Sequence, residues 1–393
     1  MVGLVGAAVD YSRASNARAH LQGAMDAAVL AGASDGSSKW QTVALSTFDA
    51  DLRPSDIAVA TPSFTLDSST YKGSVSATMP TKLIKTLGFN SIALSVSSVV
   101  DGRVAAADNS CILTLDHGSS SSHLSMTFNG APNIDLNGCS LRSNTSMTCN
   151  GFNTGATASI AAGSASSCSN PKPGAAPVPD IYASLASNIS RRCGMSMPGL
   201  MWTAGTPPSG GAVFKSTVGG HTQYNICGDL TLSGNGALTG DSPSTDTVII
   251  VENGSLNIAD GSNVSAKRTT IVITGDNSAA SAVNFLTSTL SLSPSVDPIN
   301  PWRGVSLYQD PAVTNGVDDS WGPGTTFNID GVVYLPNANV TISGNSASNV
   351  SNCSKLVANT VTTNGSVNLR FSQTGCSGFG MSQYAGQRVH LSQ

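Results

Sequence analysis

Hydrophobic and polar positions follow three patterns along the chain, and each pattern predicts a different kind of element. In the first, an apolar run over residues 1–9 continues into an Ala-rich stretch that reaches residue 34. Alanine, leucine, methionine and glutamine favour helix, and no proline occurs before Pro54. We therefore predict one long helix over residues 1–35.

The second pattern, within residues 36–108, alternates apolar and polar side chains with a period of two. This alternation, bounded by turn residues, predicts half-buried strands. Lys82–Leu87 is a candidate short helix. We expect a small α/β module in which an antiparallel sheet packs against the long helix. The predicted strands are Thr42–Leu45, Ile57–Ala60, Gly73–Met79 and Ile92–Ser97.

The third pattern, in residues 109–393, consists of short strands separated by Gly, Asn and Ser. Strands that begin at Val248 and Ile271 lie 23 residues apart, and strands that begin at Val332 and Leu356 lie 24 residues apart. A repeat of this length without helices indicates a solenoid, so we predict a mainly β protein that ends in a parallel, right-handed β-helix. Several Asn-Gly pairs, which favour hairpins, leave an antiparallel β-sandwich as the alternative.

Two segments are expected to leave the β-helix as irregular excursions, at residues 170–226 and 286–325. The first opens with a Pro-rich stretch, Asn170–Pro179, followed by a candidate short helix at Asp180–Arg192. The second holds five prolines. Because proline cannot donate a ladder hydrogen bond, this density predicts that the second segment has no regular strands.

Composition then narrows the class of protein. Charged residues make up only 11% of the chain, and glycine contributes 40 of the 393 residues. A surface built from hydroxyls and amides is typical of secreted all-β proteins and unusual for a cytosolic enzyme. The formal net charge is −4, and the densest basic sites are pairs, so the chain lacks the electrostatic footprint of nucleic-acid binding.

All eight cysteines follow residue 110, and none forms a Cys-x-x-Cys motif. Their even number and wide spacing predict disulfides in an oxidising compartment such as the periplasm or the cell surface. Cys353 and Cys376 are 23 residues apart, one solenoid repeat, so they should lie on adjacent coils. Coils about 4.8 Å apart are within disulfide reach. Cys193 and Cys227, which flank part of the first excursion, are the second predicted pair.

No arrangement of residues predicts catalysis, a cofactor or a metal ion. Asp116–Ser120 departs from the metal-binding pattern Asp-x-Ser-x-Ser at Gly118, so we interpret it as a solvated turn. The five histidines are scattered, without a readable Ser-His-Asp set. The second excursion holds indole rings and carboxylates of the kind that bind sugars. The candidate ligand-binding surface consists of Trp302, Trp321, Asp318 and Asp319.

The predicted N-terminal helix carries polar residues in a particular order among apolar ones. These residues are Gly6, Val9-Asp10-Tyr11, Arg13, Leu21-Gln22, Asp26-Ala27-Ala28 and Leu30-Ala31-Gly32-Ala33. Their order resembles the N-terminal segment of Tad (tight adherence) pilus-assembly proteins of the TadE/TadG type. In that family a membrane helix emerges on the non-cytoplasmic side and carries an envelope-exposed domain. The resemblance implies that residues 36–108 are pilin-like.

Phrases in the C-terminal region resemble the same family, in its TadG-like members with a solenoid C-terminus. These phrases are Cys111–Asp116, Asn137–Cys139, Cys227–Asn235, Gly331–Asn337, Val340–Asn345 and Cys353–Thr360. The apolar run at residues 1–9 is shorter than the roughly 20 residues that cross a bilayer. We therefore expect residues 1–35 to be a membrane-type helix that is truncated at its start.

The resemblance implies a non-enzymatic envelope or surface component of a Tad-type pilus system, which acts in assembly, anchoring or surface presentation. Its expected partners are other pilus-assembly or envelope proteins and, through the N-terminal helix, the membrane. Its expected location is the bacterial cell envelope, with a membrane anchor and a periplasmic or cell-surface bulk. The alternatives are a surface adhesin or carbohydrate-binding β-helix with glycan ligands and, after that, a polysaccharide lyase or hydrolase.

Overall fold

The computed structural model divides into two compact units, residues 1–108 with 384–393, and residues 109–383. The protein is mainly β, with a long N-terminal helix. The residues that the structure describes are 2–35, 40–52, 57–67, 70–101, 109–116, 121–130, 132–136, 138–150, 154–194, 197–206, 208–210, 212–238, 245–276, 282–314, 317–349, 352–379 and 390–391.

The first unit is a small antiparallel sheet with two helices. Its elements are α1 (Val2–Asp35), α2 (Trp40–Asp51), β1 (Ala58–Val59), β2 (Ser63–Asp67), β3 (Thr70–Pro80), the 3₁₀ turn Ile84–Leu87, β4 (Ser91–Asp101) and the short strand His390–Leu391. The central strand is β3, which pairs with β4 on one side and with β1 and β2 on the other. His390–Leu391 extends the sheet beyond β4.

One face of this sheet is buried against α1. The residues of β3 accordingly alternate between buried and exposed positions along the strand. Gly73 lies on the buried face, and a Cβ there would be 2.5 Å from Cγ2 of Val29 and 2.6 Å from Sδ of Met25. The helix therefore approaches the strand closely at a residue without a side chain. The buried residues of α1 that share this core are Ala14, Leu21, Ala24, Met25, Ala28, Val29 and Ala33.

The strand predicted at Thr42–Leu45 is wrong, because these residues belong to α2. Trp40, Ala44 and Phe48 are buried at a spacing of four, which is helical. A stretch of four residues, three of them apolar, is too short for its period to separate helix from strand. The candidate helix at 82–87 is the 3₁₀ turn Ile84–Leu87.

The second unit is built from short strands. Its described strands are β5 (Ser110–Thr114), β6 (Leu124–Phe128), β7 (Asn133–Asp135), β8 (Ser140–Ser143), β9 (Ser146–Thr148), β10 (Ser159–Ala161), β11 (Ala165–Ser166), β12 (Pro171–Lys172), β13 (Leu200–Thr203), β14 (Val213–Val218), β15 (His221–Cys227), β16 (Leu230–Ser233), β17 (Asn235–Ala237), β18 (Thr247–Glu252), β19 (Leu256–Ile258), β20 (Asn263–Ala266), β21 (Thr269–Thr274), β22 (Val283–Phe285), β23 (Thr289–Leu292), β24 (Val305–Gln309), β25 (Val317–Trp321), β26 (Thr326–Ile329), β27 (Gly331–Ser343), β28 (Ser354–Asn364) and β29 (Asn368–Arg370). Two 3₁₀ turns, Ala183–Asn188 and Cys376–Phe379, accompany them.

Nineteen of these strands form one sheet, and the pairings are parallel apart from the β14–β15 hairpin among those the structure describes. The strands line up in ladders that pass from coil to coil, an arrangement that fits a β-helix. The first ladder, which matters below, is β15–β18–β21–β24–β27–β28–β5–β8–β10–β12. An antiparallel sandwich does not account for these parallel ladders.

The repeat measured on the sequence identifies true neighbours. Ile249 pairs with Ile271, an offset of 22 residues, and Val333 pairs with Leu356, an offset of 23. Each offset is one residue shorter than the period between the strand starts. The period therefore found which strands are adjacent, and the structure fixes their register.

The order of the coils differs from the order of the chain. The strand β28 has β27 on one side, but its other neighbours are β5 and β6, where Leu356 pairs with Ile112 and Val361 with Met126. The chain therefore enters the stack at an internal position and builds coils towards β12. It then passes to the opposite end and builds the remaining coils from β13 back to β28.

Both predicted excursions need correction. The segment 286–325 holds three strands of the stack, β23, β24 and β25, and its prolines lie between strands. Proline at a corner costs no ladder hydrogen bond, so its density did not exclude strands. The segment 170–226 likewise includes β13, β14 and β15. Among its described residues, those between Lys172 and Leu200 lie outside the ladders.

Candidate functional site

The first candidate site is the contact between α1 and the loop Thr81–Asn90, which joins β3 to β4. Asp10 is fully buried and accepts hydrogen bonds from the backbone N–H groups of Lys82, Leu83 and Ile84 at 2.8–3.2 Å. Three successive N–H groups that point at one carboxylate form an anion-binding turn. We call this contact the Asp10 junction.

The hydrogen bonds at the Asp10 junction favour the charged carboxylate. The N–H group of Ile84 is the largest cause, and it helps to lower the pKa of Asp10 to about 2, against the opposing effect of burial. Arg13, one turn along the helix, adds an ion pair at 3.3 Å. The charged form of Asp10 is therefore part of the folded structure at neutral pH.

Other residues of the N-terminal pattern also fix α1 to its unit. Gly6 allows close approach, since a Cβ there would be 3.0 Å from Cβ of Leu83. The Nε2 group of Gln22 donates to Oδ1 of Asp26 at 2.8 Å and to the carbonyl oxygen of Ser97 at 3.0 Å. The polar order seen in the sequence is thus a docking pattern between a helix and a sheet.

The second candidate site is the outer face of the first ladder in the second unit. Strands β18, β21 and β24 are buried at every position, so both of their faces are covered. The inner face packs in the large apolar core of the second unit. The outer face packs against the segment 173–193, which we call the strap. Together they form a separate apolar cluster of Leu113, Leu115, Val178, Val248, Ile250, Val272, Trp302, Val305, Tyr308, Val332, Tyr334 and Val357, with Tyr182, Leu185 and Ile189 of the strap partly buried against it.

Hydrogen bonds hold the strap at both ends of its course. At one end, Asn144 exchanges two bonds with the backbone of Val178, at 2.7 and 2.9 Å. At the other end, Glu252 is fully buried and accepts from the N–H groups of Arg192 and Cys193 at 2.9–3.0 Å. The strap therefore spans the coils between β8 and β18.

Two stacked tyrosines hold the middle of the strap. The rings of Tyr308 and Tyr334 lie 4.8 Å apart on adjacent coils. The hydroxyl of Tyr334 donates to Oδ2 of Asp180 at 2.6 Å, and that of Tyr308 donates to the carbonyl oxygen of Tyr182 at 3.0 Å. Burial, with the nearby carboxylates, raises the pKa of both phenols far above the usual range, so both remain donors.

All eight cysteines form disulfides, including both predicted pairs. Cys353–Cys376 joins neighbouring coils with a Cα separation of 4.8 Å, and Cys193–Cys227 ties the end of the strap to β15. The other two bonds are Cys111–Cys139 and Cys149–Cys168. The disulfides thus cross-link coils at several levels of the stack and one end of the strap.

The candidate ligand-binding surface does not form. Trp302 and Trp321 are each 1% exposed. Trp302 packs against Tyr308 in the apolar cluster under the strap, and Trp321 lies in the large apolar core of the second unit. A buried indole offers no face for a sugar. Asp318 is exposed and accepts from Nδ2 of Asn339 at 3.1 Å.

Asp319, in contrast, points into the core. It is 1% exposed and accepts from the N–H group of Val283 at 2.7 Å. Burial raises its pKa to about 8. Adjacent strand residues face opposite sides, which explains why two neighbouring aspartates have opposite environments.

The sequence predicts a solvated turn after β5. Residues 117–120 lie outside the described part of the chain, but Asp116 is buried and contacts Nδ1 of His123 at 2.5 Å. It also accepts from the hydroxyl of Thr145 at 3.0 Å. Among the described residues, no group of three His, Cys, Asp or Glu side chains could hold a metal ion.

The strap is the feature that sequence reasoning missed. A signal for it exists, because strands such as Val248–Val251 are continuously apolar, which indicates burial on both faces. A β-helix strand with only an inner buried face would alternate. The outer apolar positions therefore indicate that another segment covers them, and that segment is the strap, which begins in the Pro-rich stretch.

The comparisons with known proteins give one match. Residues 1–35 match the model of the Tad family, described as Flp pilus-assembly, TadE/G-like. Neither the curated proteins nor the solved structures contain a match to this chain. Within the described residues, no helix has a stretch that is long and apolar enough to cross a membrane. The match covers α1, which carries the Asp10 junction.

Proposed function

We propose that this protein is a non-enzymatic envelope component of a Tad-type pilus system, which acts in assembly, anchoring or surface presentation. The observation that carries the proposal is the family match at residues 1–35. Those residues include Gly6, Asp10 and Gln22, which hold α1 on its sheet. The match therefore falls on a helix with a defined place in a folded unit.

In this proposal the first unit is a pilin-like module and the second is a right-handed parallel β-helix that serves as a rigid body. The parallel ladders support the second assignment, since neighbouring coils pair strand by strand over the described range. Four disulfides support an oxidising location such as the periplasm or the cell surface. The start of α1 would hold the protein at the membrane.

The proposal of a structural role draws support from the way the buried acids are used. Asp10, Glu252 and Asp319 each accept hydrogen bonds from backbone N–H groups. A carboxylate committed to backbone donors positions a segment of chain and is poorly placed to transfer protons. The proposed partners are accordingly other pilus-assembly proteins rather than small substrates.

Deletion of the gene in the source bacterium tests the proposal, with pili imaged by electron microscopy and attachment measured on a surface. We expect loss or marked shortening of pili, restored by the wild-type gene. Asp10→Asn should restore pili poorly, because the amide weakens the Asp10 junction. Asp67→Asn is the matched control, since the Asp67 side chain is exposed and pairs with Lys72 at 3.4 Å. Immunoblots would confirm equal protein levels.

Normal pili and normal attachment in the deletion strain would contradict the proposal. Normal pili with lost attachment would instead indicate an adhesin. If the deletion strain loses its pili and the Asp10→Asn variant restores them as fully as wild type does, the protein has a pilus role that does not require the Asp10 junction.

A further inference from the structure

The loop Thr81–Asn90 presents an unusual set of side chains to solvent. Leu83 is 47% exposed, Leu87 61% and Phe89 64%. Lys82 and Lys85 are exposed on the same loop, which contains no acidic residue. Isolated exposed apolar residues are ordinary, but three large ones within seven positions form a patch that indicates an interaction site.

The exposure of this patch is built into the fold. The carboxylate of Asp10 holds the N–H groups at 82–84, and the N–H of Thr81 donates to the carbonyl oxygen of Asn90 at 3.1 Å. The loop turns at Gly88, whose φ of +90° favours glycine. Because the backbone is fixed at both ends and in the middle, the apolar side chains are held outward.

The patch lies beside the apolar beginning of α1. Gly6 is the contact point with Leu83. Val9 and Tyr11, on the turns next to Asp10, are 45% and 74% exposed. The loop and residues 9 and 11 of α1 therefore present apolar and aromatic side chains at the same end of the first unit.

From this arrangement we infer that the loop Thr81–Asn90 inserts into the interfacial zone of an anionic phospholipid bilayer. Leucine and phenylalanine side chains enter the boundary between headgroups and acyl chains, where apolar and aromatic residues are favoured. Lysine stems lie along that boundary while their ammonium groups meet lipid phosphates. The absence of acidic residues in the loop removes the repulsion that an anionic surface would otherwise meet.

This inference deepens the proposed function and rests on its envelope location. It assigns the first unit a second membrane contact, in addition to the start of α1. Two contacts, one from the helix and one from the loop, would fix the tilt of this unit above the bilayer. A loop fixed by Asp10 transmits that orientation directly to β3 and β4.

The test uses the full chain with Phe89→Trp as a reporter, mixed with vesicles of phosphatidylglycerol and phosphatidylcholine. Trp40, Trp202, Trp302 and Trp321 are all buried, so the difference from wild type reports position 89. We expect a blue shift of the added fluorescence and quenching by lipids brominated near the headgroup. Vesicles of phosphatidylcholine alone should give a weaker response.

Vesicle sedimentation then separates the loop from the helix. Leu87→Ser with Phe89→Ser should lower the partition coefficient by about tenfold, because two apolar side chains are lost from the boundary. Lys82→Gln with Lys85→Gln should lower it several-fold, and only on anionic vesicles. The matched control is Leu45→Ser with Leu66→Ser, which removes side chains of 40% and 39% exposure elsewhere in the unit and should change nothing.

A protein that sediments with vesicles while the tryptophan at position 89 stays unshifted and unquenched would overturn the inference, because binding would then come from the helix alone. Equal binding by the Leu87→Ser/Phe89→Ser variant and the control variant would overturn it as well, because the patch would then contribute nothing to membrane binding. Neither result depends on pili, so failure here is distinct from failure of the proposed function.

Discussion

The two units cover their sheets in opposite ways. In the first unit one face of β3 and β4 packs against α1, and the other face, with Ser74, Ser76 and Ser95, is exposed. In the second unit strands β18, β21 and β24 of the first ladder are buried on both faces, by the large apolar core and by the strap. One-sided cover needs only a helix close in sequence. Two-sided cover needs a segment brought from a distant part of the chain and fixed there.

The interactions that hold the covering segment in place also differ between the two units. The first unit contains no cysteine and uses a buried carboxylate at the Asp10 junction. The second unit holds all four disulfides, one of which ties the strap. Segments with long separations lose the most entropy on ordering, so a covalent tie is most effective there. We therefore expect the two units to respond to different perturbations.

Reduction of the disulfides should have the largest effect and should be confined to the second unit. Each disulfide contributes about 2–4 kcal/mol, so loss of all four should lower the stability of the second unit by more than about 5 kcal/mol. Hydrogen exchange with and without dithiothreitol measures both units in one experiment. Equal loss of protection in residues 2–101 would contradict the prediction that reduction affects only the second unit.

A narrower variant sharpens this prediction for the strap. Cys193→Ala with Cys227→Ala should speed exchange in residues 180–193, because that end of the strap then depends on Glu252 and Asn225. Cys149→Ala with Cys168→Ala removes an equal number of cysteines and leaves the strap tied. Similar hydrogen-exchange rates of the strap in both variants would show that its hydrogen bonds hold it in place without the disulfide.

The buried carboxyl group of Asp319 should make the stability of the second unit depend on pH. Its pKa is about 8 in the folded protein, against an ordinary value of 3.8. The folded state therefore holds the proton between pH 4 and pH 8 where the unfolded chain releases it, and stability falls as the pH rises through that window. Asp319→Asn cannot ionise and should stabilise the unit by about 2–5 kcal/mol at pH 7.5, with little change at pH 4.

Thermal unfolding at both pH values measures this effect. Asp318→Asn is the control, since that neighbour is exposed and should leave the pH dependence largely intact. A wild-type melting temperature that does not change between pH 4 and pH 8 would show that Asp319 releases its proton without cost.

In the first unit, Gly73→Val should break the close packing of helix on sheet. The new side chain would collide with Val29 and Met25, and overpacking of this kind costs about 1–3 kcal/mol. Ser74→Val, on the exposed face of the same strand, is the control and should be neutral or slightly stabilising. Urea unfolding followed by exchange in the first unit would distinguish them.

The smallest effect is expected at the Asp10 junction. The pKa of Asp10 is about 2, below its ordinary value of 3.8, so its charge supports folding above pH 4 and this support is lost as the pH falls towards 2. Asp10→Asn should speed exchange of the amides at 82–84 about tenfold at neutral pH. Carbon-13 NMR of the carboxyl group measures the pKa directly, and a midpoint near 4 would contradict the geometry.

Elements that depend on neighbouring residues, or on residues one repeat away, follow from the amino-acid sequence alone. The Ala-rich, proline-free start specified α1, and the apolar repeat identified the pairs β18–β21 and β27–β28 as neighbours. Cys353 and Cys376 pair because one period separates them. Each inference used spacing between nearby residues, and the parallel ladders preserve that spacing from one pair of strands to the next.

Where a pattern allowed two structures, the sequence misled. Residues 42–45 are too few for their period to separate strand from helix, and Phe48 completes a helical stripe with Trp40 and Ala44. The prolines of 286–325 suggested an excursion, but they occupy corners between strands. The sequence predicts that Trp302 and Trp321 bind a ligand, but both are buried. Their burial depends on how the strands assemble, and the composition of the segment does not show that.

Only the tertiary structure decided the order of the coils and the course of the strap. A parallel ladder forms between any two coils of matching length and pattern, so β28 pairs with β5 as readily as with a strand that follows it in the chain. The apolar outer face of the first ladder requires a cover but does not specify which segment provides it. That choice depended on Asn144, Tyr334 and Glu252, which meet the strap from three different coils.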